Sequence, residues 1–121
     1  MSILSAFNNI ILNFLDDCIL IFKDDNEFKI YKRGLEVVIK YNPRKIYSFF
    51  KEYLELYRPY IEQKNELFFL ENNFEEIKKY NDEEIFTVIH KIKTYWSQLE
   101  ENNKEKVWDY FHILVKLSDN I

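Results

Sequence analysis

Apolar residues recur at intervals of three and four along most of this chain, and few residues in it would end a helix. In the first 22 residues the stripe is Ile3, Leu4, Phe7, Ile10, Ile11, Phe14, Leu15, Cys18, Ile21 and Phe22. That spacing paints one face of a 3.6-residue helix. One Gly and two Pro in 121 residues supply few of the tight turns a β fold needs, and strand-like alternation is missing. The sequence therefore predicts an all-α fold, a single-domain bundle of five to six helices over residues 1–121.

The stripes and breakers place the helices. Ser2 caps a first helix over residues 3–22. Asp24 or Asp25 caps a second, over 26–41, whose inward stripe is Phe28, Tyr31, Leu35, Val38 and Ile39. Gly34 inside it costs about 1 kcal/mol relative to Ala. Asn42 as cap and Pro43 at the first helical position open a third helix, with Ile46, Phe49, Phe50, Tyr53, Leu54 and Tyr57 on its stripe. Pro59 interrupts the continuing pattern and predicts a kink or break. A short helical segment is expected at 74–80. A fourth helix runs from Asn81 or Asp82 to Leu99, and a fifth, capped by Asn103, from Lys104 to Leu117.

Between the third helix and that short segment lies "NELFFLENNFEEI", with Leu67, Phe68, Phe69 and Leu70 in succession. A single turn that is apolar on several sides must be buried on several sides. The expectation is a plug that closes one end of the bundle, with one Phe pointing outward to a partner as the alternative. Trp96 and Trp108 flank one turn, so both indoles are expected toward that end.

A hydrophobic content of 47% excludes a disordered chain. Cys18 is alone, so no disulfide framework forms within the chain and a reducing, intracellular setting is expected. Residues 1–22 lack a basic leader and carry Asn8, Asn9, Asn13, Asp16 and Asp17, a poor pattern for a signal peptide or a membrane span. The net charge of −4 is unevenly spread. Residues 23–51 are basic and residues 52–84 acidic, an arrangement able to orient a partner or a second copy.

The sequence offers no catalytic, cofactor or metal constellation. His90 and His112 stand outside any ligand spacing. Cys18 lies on an apolar stripe, where a buried thiol is inert. The paired carboxylates (Asp16/Asp17, Glu75/Glu76, Glu83/Glu84) diverge by about 100° on a helix. One Gly leaves no phosphate-cradling loop. The chain reads as a non-enzyme without cofactor or small-molecule substrate.

The second half also carries a resemblance. Tyr57 and Ile61, then Glu66, Phe68, Phe69 and Leu70, then Trp96, Lys104, Trp108, Tyr110, Phe111 and Leu114 resemble small helical proteins of nucleocytoplasmic large DNA viruses over about residues 43–118. Asn65-Glu66 stands where such proteins carry Asp-Glu. The abundance of Lys, Ile and Asn, all A/T-rich codons, agrees with that origin. The resemblance implies a virus-encoded protein of the host cytoplasm, viral factory or virion, and supplies no active site.

The leading expectation is a protein–protein interaction or assembly protein, acting on a protein partner or on itself as a homo-oligomer. The candidate contacts are Tyr47, Tyr53, Tyr57, Tyr60, Phe68 and Phe69, because aromatic anchors dominate interface energetics. One alternative is an accessory nucleic-acid binder using Lys29, Lys32, Arg33, Lys40, Arg44 and Lys45 of the basic segment. Another is a host-response modulator with a groove for an amphipathic peptide.

Overall fold

The computed structural model describes residues 2–71 and 83–121, with the side chains of Tyr53, Leu54 and residues 83–86 outside that set. The chain is all-α. Its elements are α1 (Ile3–Ile21), α2 (Glu27–Tyr41), α3 (Lys45–Tyr53), a 3-10 turn (Leu54–Tyr57), α4 (Arg58–Glu62), α5 (Glu66–Glu71), α6 (Glu83–Tyr95), a second 3-10 turn (Trp96–Gln98) and α7 (Glu101–Ser118). Seven α-helices among the described residues exceed the five to six expected, because the stretch after Pro43 is cut into three. The helical segment expected at 74–80 and the start expected at Asn81 or Asp82 lie outside the described residues.

The caps follow side-chain chemistry. Ser2 Oγ accepts from the Ser5 amide at 3.0 Å, satisfying one donor of the open first turn. At α2 the side-chain acceptor is Asp25, whose Oδ1 takes the Glu27 amide at 3.0 Å. Asn65 Oδ1 takes the Phe68 amide at 3.0 Å and opens α5. Helix α3 begins two residues later than Pro43 predicts. Asn42 and Pro43 instead form a turn closed by Lys45 N to Asn42 O at 3.1 Å.

Pro59 acts as expected, but the change falls before it. Its ring crowds the carbonyl four residues earlier and it has no N–H to donate. The chain therefore winds as 3-10 over Leu54–Tyr57, and Pro59 sits in the first turn of α4, where that N–H is not needed. Helix α4 ends with Lys64 in the left-handed region at φ 51. Asn65 N bonds to Tyr60 O and Lys64 N to Ile61 O, the paired bonds of a Schellman stop.

The last helix starts three residues before the expected Lys104. Glu100 is its cap residue, and its carbonyl takes the amides of both Asn103 and Lys104 at 3.0 Å. Asn103 is thus inside the helix. The connection shrinks because the 3-10 turn ends on extended, buried Leu99.

Helix α1 packs on α2, α3 and α7, α2 also on α3 and α6, and α4 on α7. Phe7, Leu15 and Cys18 of α1 are buried, with Phe28 and Leu35 of α2, Phe50 of α3, Ile92 of α6 and Leu114 of α7. Phe7 meets Tyr47 and Phe50 edge-on at 5.8 and 5.4 Å. Phe22 stacks on Phe28 and Tyr95 at 5.1 and 4.8 Å. Each fully buried side chain of this size contributes roughly 1.5–3 kcal/mol. By length and composition α1 is apolar enough to cross a membrane, against the sequence expectation. Its Phe7, Phe14, Leu15 and Cys18 are buried against neighbouring helices, while 28% of the apolar stretch as a whole is buried.

The polar side of α1 also ties the helices together. Asp16 pairs with Lys32 of α2, and Asp17 accepts from the Tyr110 hydroxyl of α7. Asn8 is buried, and its Nδ2 donates to the Pro43 carbonyl at 2.9 Å. The periodicity gives no sign of that bond, which anchors the α2–α3 turn on α1.

Candidate interaction surface

The four-residue apolar run divides by direction. Phe69 is buried and meets Trp96 at 5.3 Å and Trp108 at 6.2 Å. The two indoles meet edge-on at 5.6 Å. Phe69 is therefore the plug, and it closes the end where α6 turns into α7. Phe68 is half-buried and lies flat on Tyr60 at 3.6 Å with 6° between the planes. Leu67 is 65% exposed. The expectation that the whole run is buried is corrected by the length of α5. Six residues make under two turns, and one side of them faces water.

The predicted partner residues separate in the same way. Tyr47 and Tyr57 are buried, as is Phe69. As packed they offer a partner little surface, which corrects the expectation for these three. The α3 stripe turns inward, and Arg44 lies over the Tyr47 ring at 5.2 Å. Tyr60 is 38% exposed and Phe68 half-buried. The side chain of Tyr53 lies outside the described residues. Of the basic set, Lys29, Arg33, Lys40, Arg44 and Lys45 are exposed. Lys32 is the correction there, being half-buried and held by Asp16.

Those cations border a surface that the inward stripe conceals. On the outer side of α2, Ile30 is 63% exposed, Val37 55% and Tyr41 79%. Seven and eleven residues beyond Ile30, a helix returns to within about 20° of the same direction. The three side chains therefore form one stripe along the helix. Lys29, Arg33 and Lys40 run beside it on one flank, with Glu36 as the acid among them. Lys40 lies over the Tyr41 ring at 5.8 Å. Gly34 borders the stripe without a positive φ, so its small size is what the position uses. Ile30 and Val37 are the apolar residues of α2 left over once Phe28, Tyr31, Leu35, Val38 and Ile39 are assigned inward. That surplus is the sequence signal for this face.

The strongest polar cluster has a structural task. Asp25 accepts from Lys91 and, at 2.6 Å, from the Tyr95 hydroxyl. Glu27 lies 3.1 Å from Lys91 and accepts from Tyr31 at 2.6 Å. The hydrogen bond from Lys91, followed by that from Tyr95, holds the Asp25 carboxyl below the usual carboxylate range. Bonding to Asp25 keeps Lys91 protonated well above the usual lysine range. Burial, then the bond to Glu27, lifts Tyr31 to about 12. The cluster clamps the α1–α2 connection to α6, and its Asp25, Glu27, Lys91 and Tyr95 line, with Phe22 and Gln98, an open cleft of about 540 Å³.

Burial, reinforced by Asp17, pushes the Cys18 thiol up to about 12. His112 Nε2 lies 2.8 Å from the Ile61 carbonyl. Among the described residues no three His, Cys, Asp or Glu side chains gather as a metal site. Two apolar cavities of about 30 and 60 Å³ sit beneath the plug and between α1, α3 and α6. Both are far below the ~300 Å³ of an ordinary ligand site.

The chain is all-α, and among the described residues α2 presents an exposed, cation-flanked apolar face. No family model matches the sequence, and no curated protein or solved structure is significantly similar to it.

Proposed function

We propose that this chain is a non-enzymatic, virus-encoded interaction or assembly protein, a single helical bundle that docks a protein partner through the outer face of α2. The exposure of Ile30, Val37 and Tyr41 in one line carries the reading. Three large apolar side chains on one side of one helix add nothing to the core, and a contiguous patch of that kind marks a contact surface. An aromatic at one end and arginine on the flank are the residue types that anchor interfaces. The cation flank favours a partner with an acidic rim. The viral assignment rests on the aromatic pattern of the second half and on the codon bias.

The test is photo-cross-linking in cells that express the chain, with wild type beside an Ile30→Ser/Val37→Ser/Tyr41→Ser variant. The variant is expected to keep its melting curve and to lose the cross-linked species. The same species at undiminished yield would remove this face from consideration.

Nucleic acid is the second reading, because Lys29, Arg33, Lys40, Arg44 and Lys45 are exposed and Lys40 lies over the exposed Tyr41 ring. It predicts retention on DNA or RNA that falls steeply with salt. Ile30 and Val37 on the same face favour protein over a phosphate backbone.

A further inference from the structure

The cation-flanked stripe has a counterpart on the same chain. Leu56 is 61% exposed, Tyr60 38% and Leu67 65%. Leu56 and Tyr60 are four residues apart, one turn along the segment that leads into α4. Tyr60 stacks on Phe68, the neighbour of Leu67, so the three belong to one corner of the molecule. Acids surround it. Glu52 lies one turn before Leu56, and Glu62, Glu66 and Glu71 are exposed on α4 and α5. The basic residues of this corner are already engaged. Arg58 is held by Glu55, Glu62 and Asp119, Lys64 by Glu105 at 2.7 Å and Lys104 by Glu66 at 3.5 Å, so Glu62 and Glu66 are partly neutralised and Glu52 and Glu71 carry the charge of this rim. The chain thus displays two apolar patches whose rims carry opposite charge.

Building on the proposed docking role of α2, we infer that the partner is a second copy of this chain. The Ile30–Val37–Tyr41 stripe of one copy covers the Leu56–Tyr60–Leu67 patch of the next. Lys29 and Arg33 lie against carboxylates such as Glu52 and Glu71. Opposite rims bring the unlike patches together and hold the like ones apart. A contact between unlike patches is heterologous, so it adds further copies unless its rotation closes a ring.

The experiment is light scattering during size exclusion, over a wide range of concentration at low and moderate salt. Three proteins are compared: the wild type, Lys29→Glu/Arg33→Glu, and Glu52→Lys/Glu71→Lys. The wild type is expected to exceed 15.0 kDa as concentration rises and to return toward it in salt. Each variant keeps its circular dichroism spectrum and self-associates about tenfold or more weakly. An equal mixture of the two variants regains association, because each supplies the charge the other has lost. Misfolded variants do not rescue one another.

A wild type that stays monomeric throughout overturns the second copy as occupant. So does association that neither variant weakens, or a mixture that fails to recover. Monomers that bind phosphatidylserine vesicles or duplex DNA instead hand the face to that occupant. The cross-linking test is independent of all these results. A monomer whose cross-links still require Ile30, Val37 and Tyr41 refutes self-assembly and keeps the docking role, whereas cross-links indifferent to them refute the docking role itself.

Discussion

The plugged end of the molecule and the outer face of α2 use the same kind of residue to opposite ends. At the plug, Phe69, Trp96 and Trp108 are buried against one another within 5.3 to 6.2 Å. On α2, Ile30, Val37 and Tyr41 stand more than half in water. The first set removes apolar surface from solvent and so contributes to folding. The second leaves that surface exposed in the single chain, so its free energy is still available to a contact. Comparing the two separates residues that hold the fold together from residues the fold presents.

Truncation at the plug is expected to have the largest effect. Trp108→Ala should cost about 3–5 kcal/mol in urea unfolding, because it deletes transfer energy and leaves a cavity between Phe69, Trp96 and Phe111. A loss below about 1 kcal/mol would mean that this end is loosely packed and that the contrast with α2 is false.

The clamp comes next. Asp25→Ala should cost about 1–3 kcal/mol, because it leaves Lys91 and Tyr95 without their shared acceptor. Its pH dependence has a definite sign. The Asp25 carboxyl titrates lower in the folded chain than the ~3.9 of an unfolded one. Its stabilisation is therefore complete above that value and is lost as pH falls through the folded one. Lys91 is shifted upward, so its share is complete below ~10.4 and is lost as pH rises through its folded value. Urea midpoints measured from acid to alkaline pH should fall less at both ends in the Asp25→Ala variant than in wild type. Equal slopes would show that the cluster is not clamped in solution.

Lys64 is a smaller case. A non-glycine side chain at φ 51 is sterically disfavoured, and the exposed ion pair with Glu105 returns little. Lys64→Gly should raise the urea midpoint slightly in the same titration. A decrease would show that the ion pair outweighs the backbone.

The smallest effect on stability sharpens the comparison most. Ile30→Ser/Val37→Ser should change unfolding free energy by no more than about 0.5 kcal/mol per site, while abolishing the cross-links and the self-association. Destabilisation comparable to that of Trp108→Ala would make α2's outer face part of the core.

By itself the sequence determined the all-α class, because 3-4 spacing with one Gly and two Pro fits little else. It also located the Ser2 cap, a break near Pro59 and the gathering of Trp96 and Trp108 at one turn. Each of these depends on neighbours within a few positions, through backbone hydrogen bonds or one helical turn. Only the tertiary structure decided which apolar residues are surplus. Tyr47 and Tyr57 read from sequence as exposed anchors and are core, whereas Ile30 and Val37, which no predicted stripe singled out, stand in water. Asn8 reads as one of several polar residues and is buried on the Pro43 carbonyl. The physical reason is shared by all of them. Burial depends on how many helices surround a given face. α3 packs against α1 and α2, while Ile30, Val37 and Tyr41 on the outer side of α2 are exposed, with no helix among the described residues over them. Local spacing records the direction of a side chain along its helix and nothing of what the rest of the chain places against it.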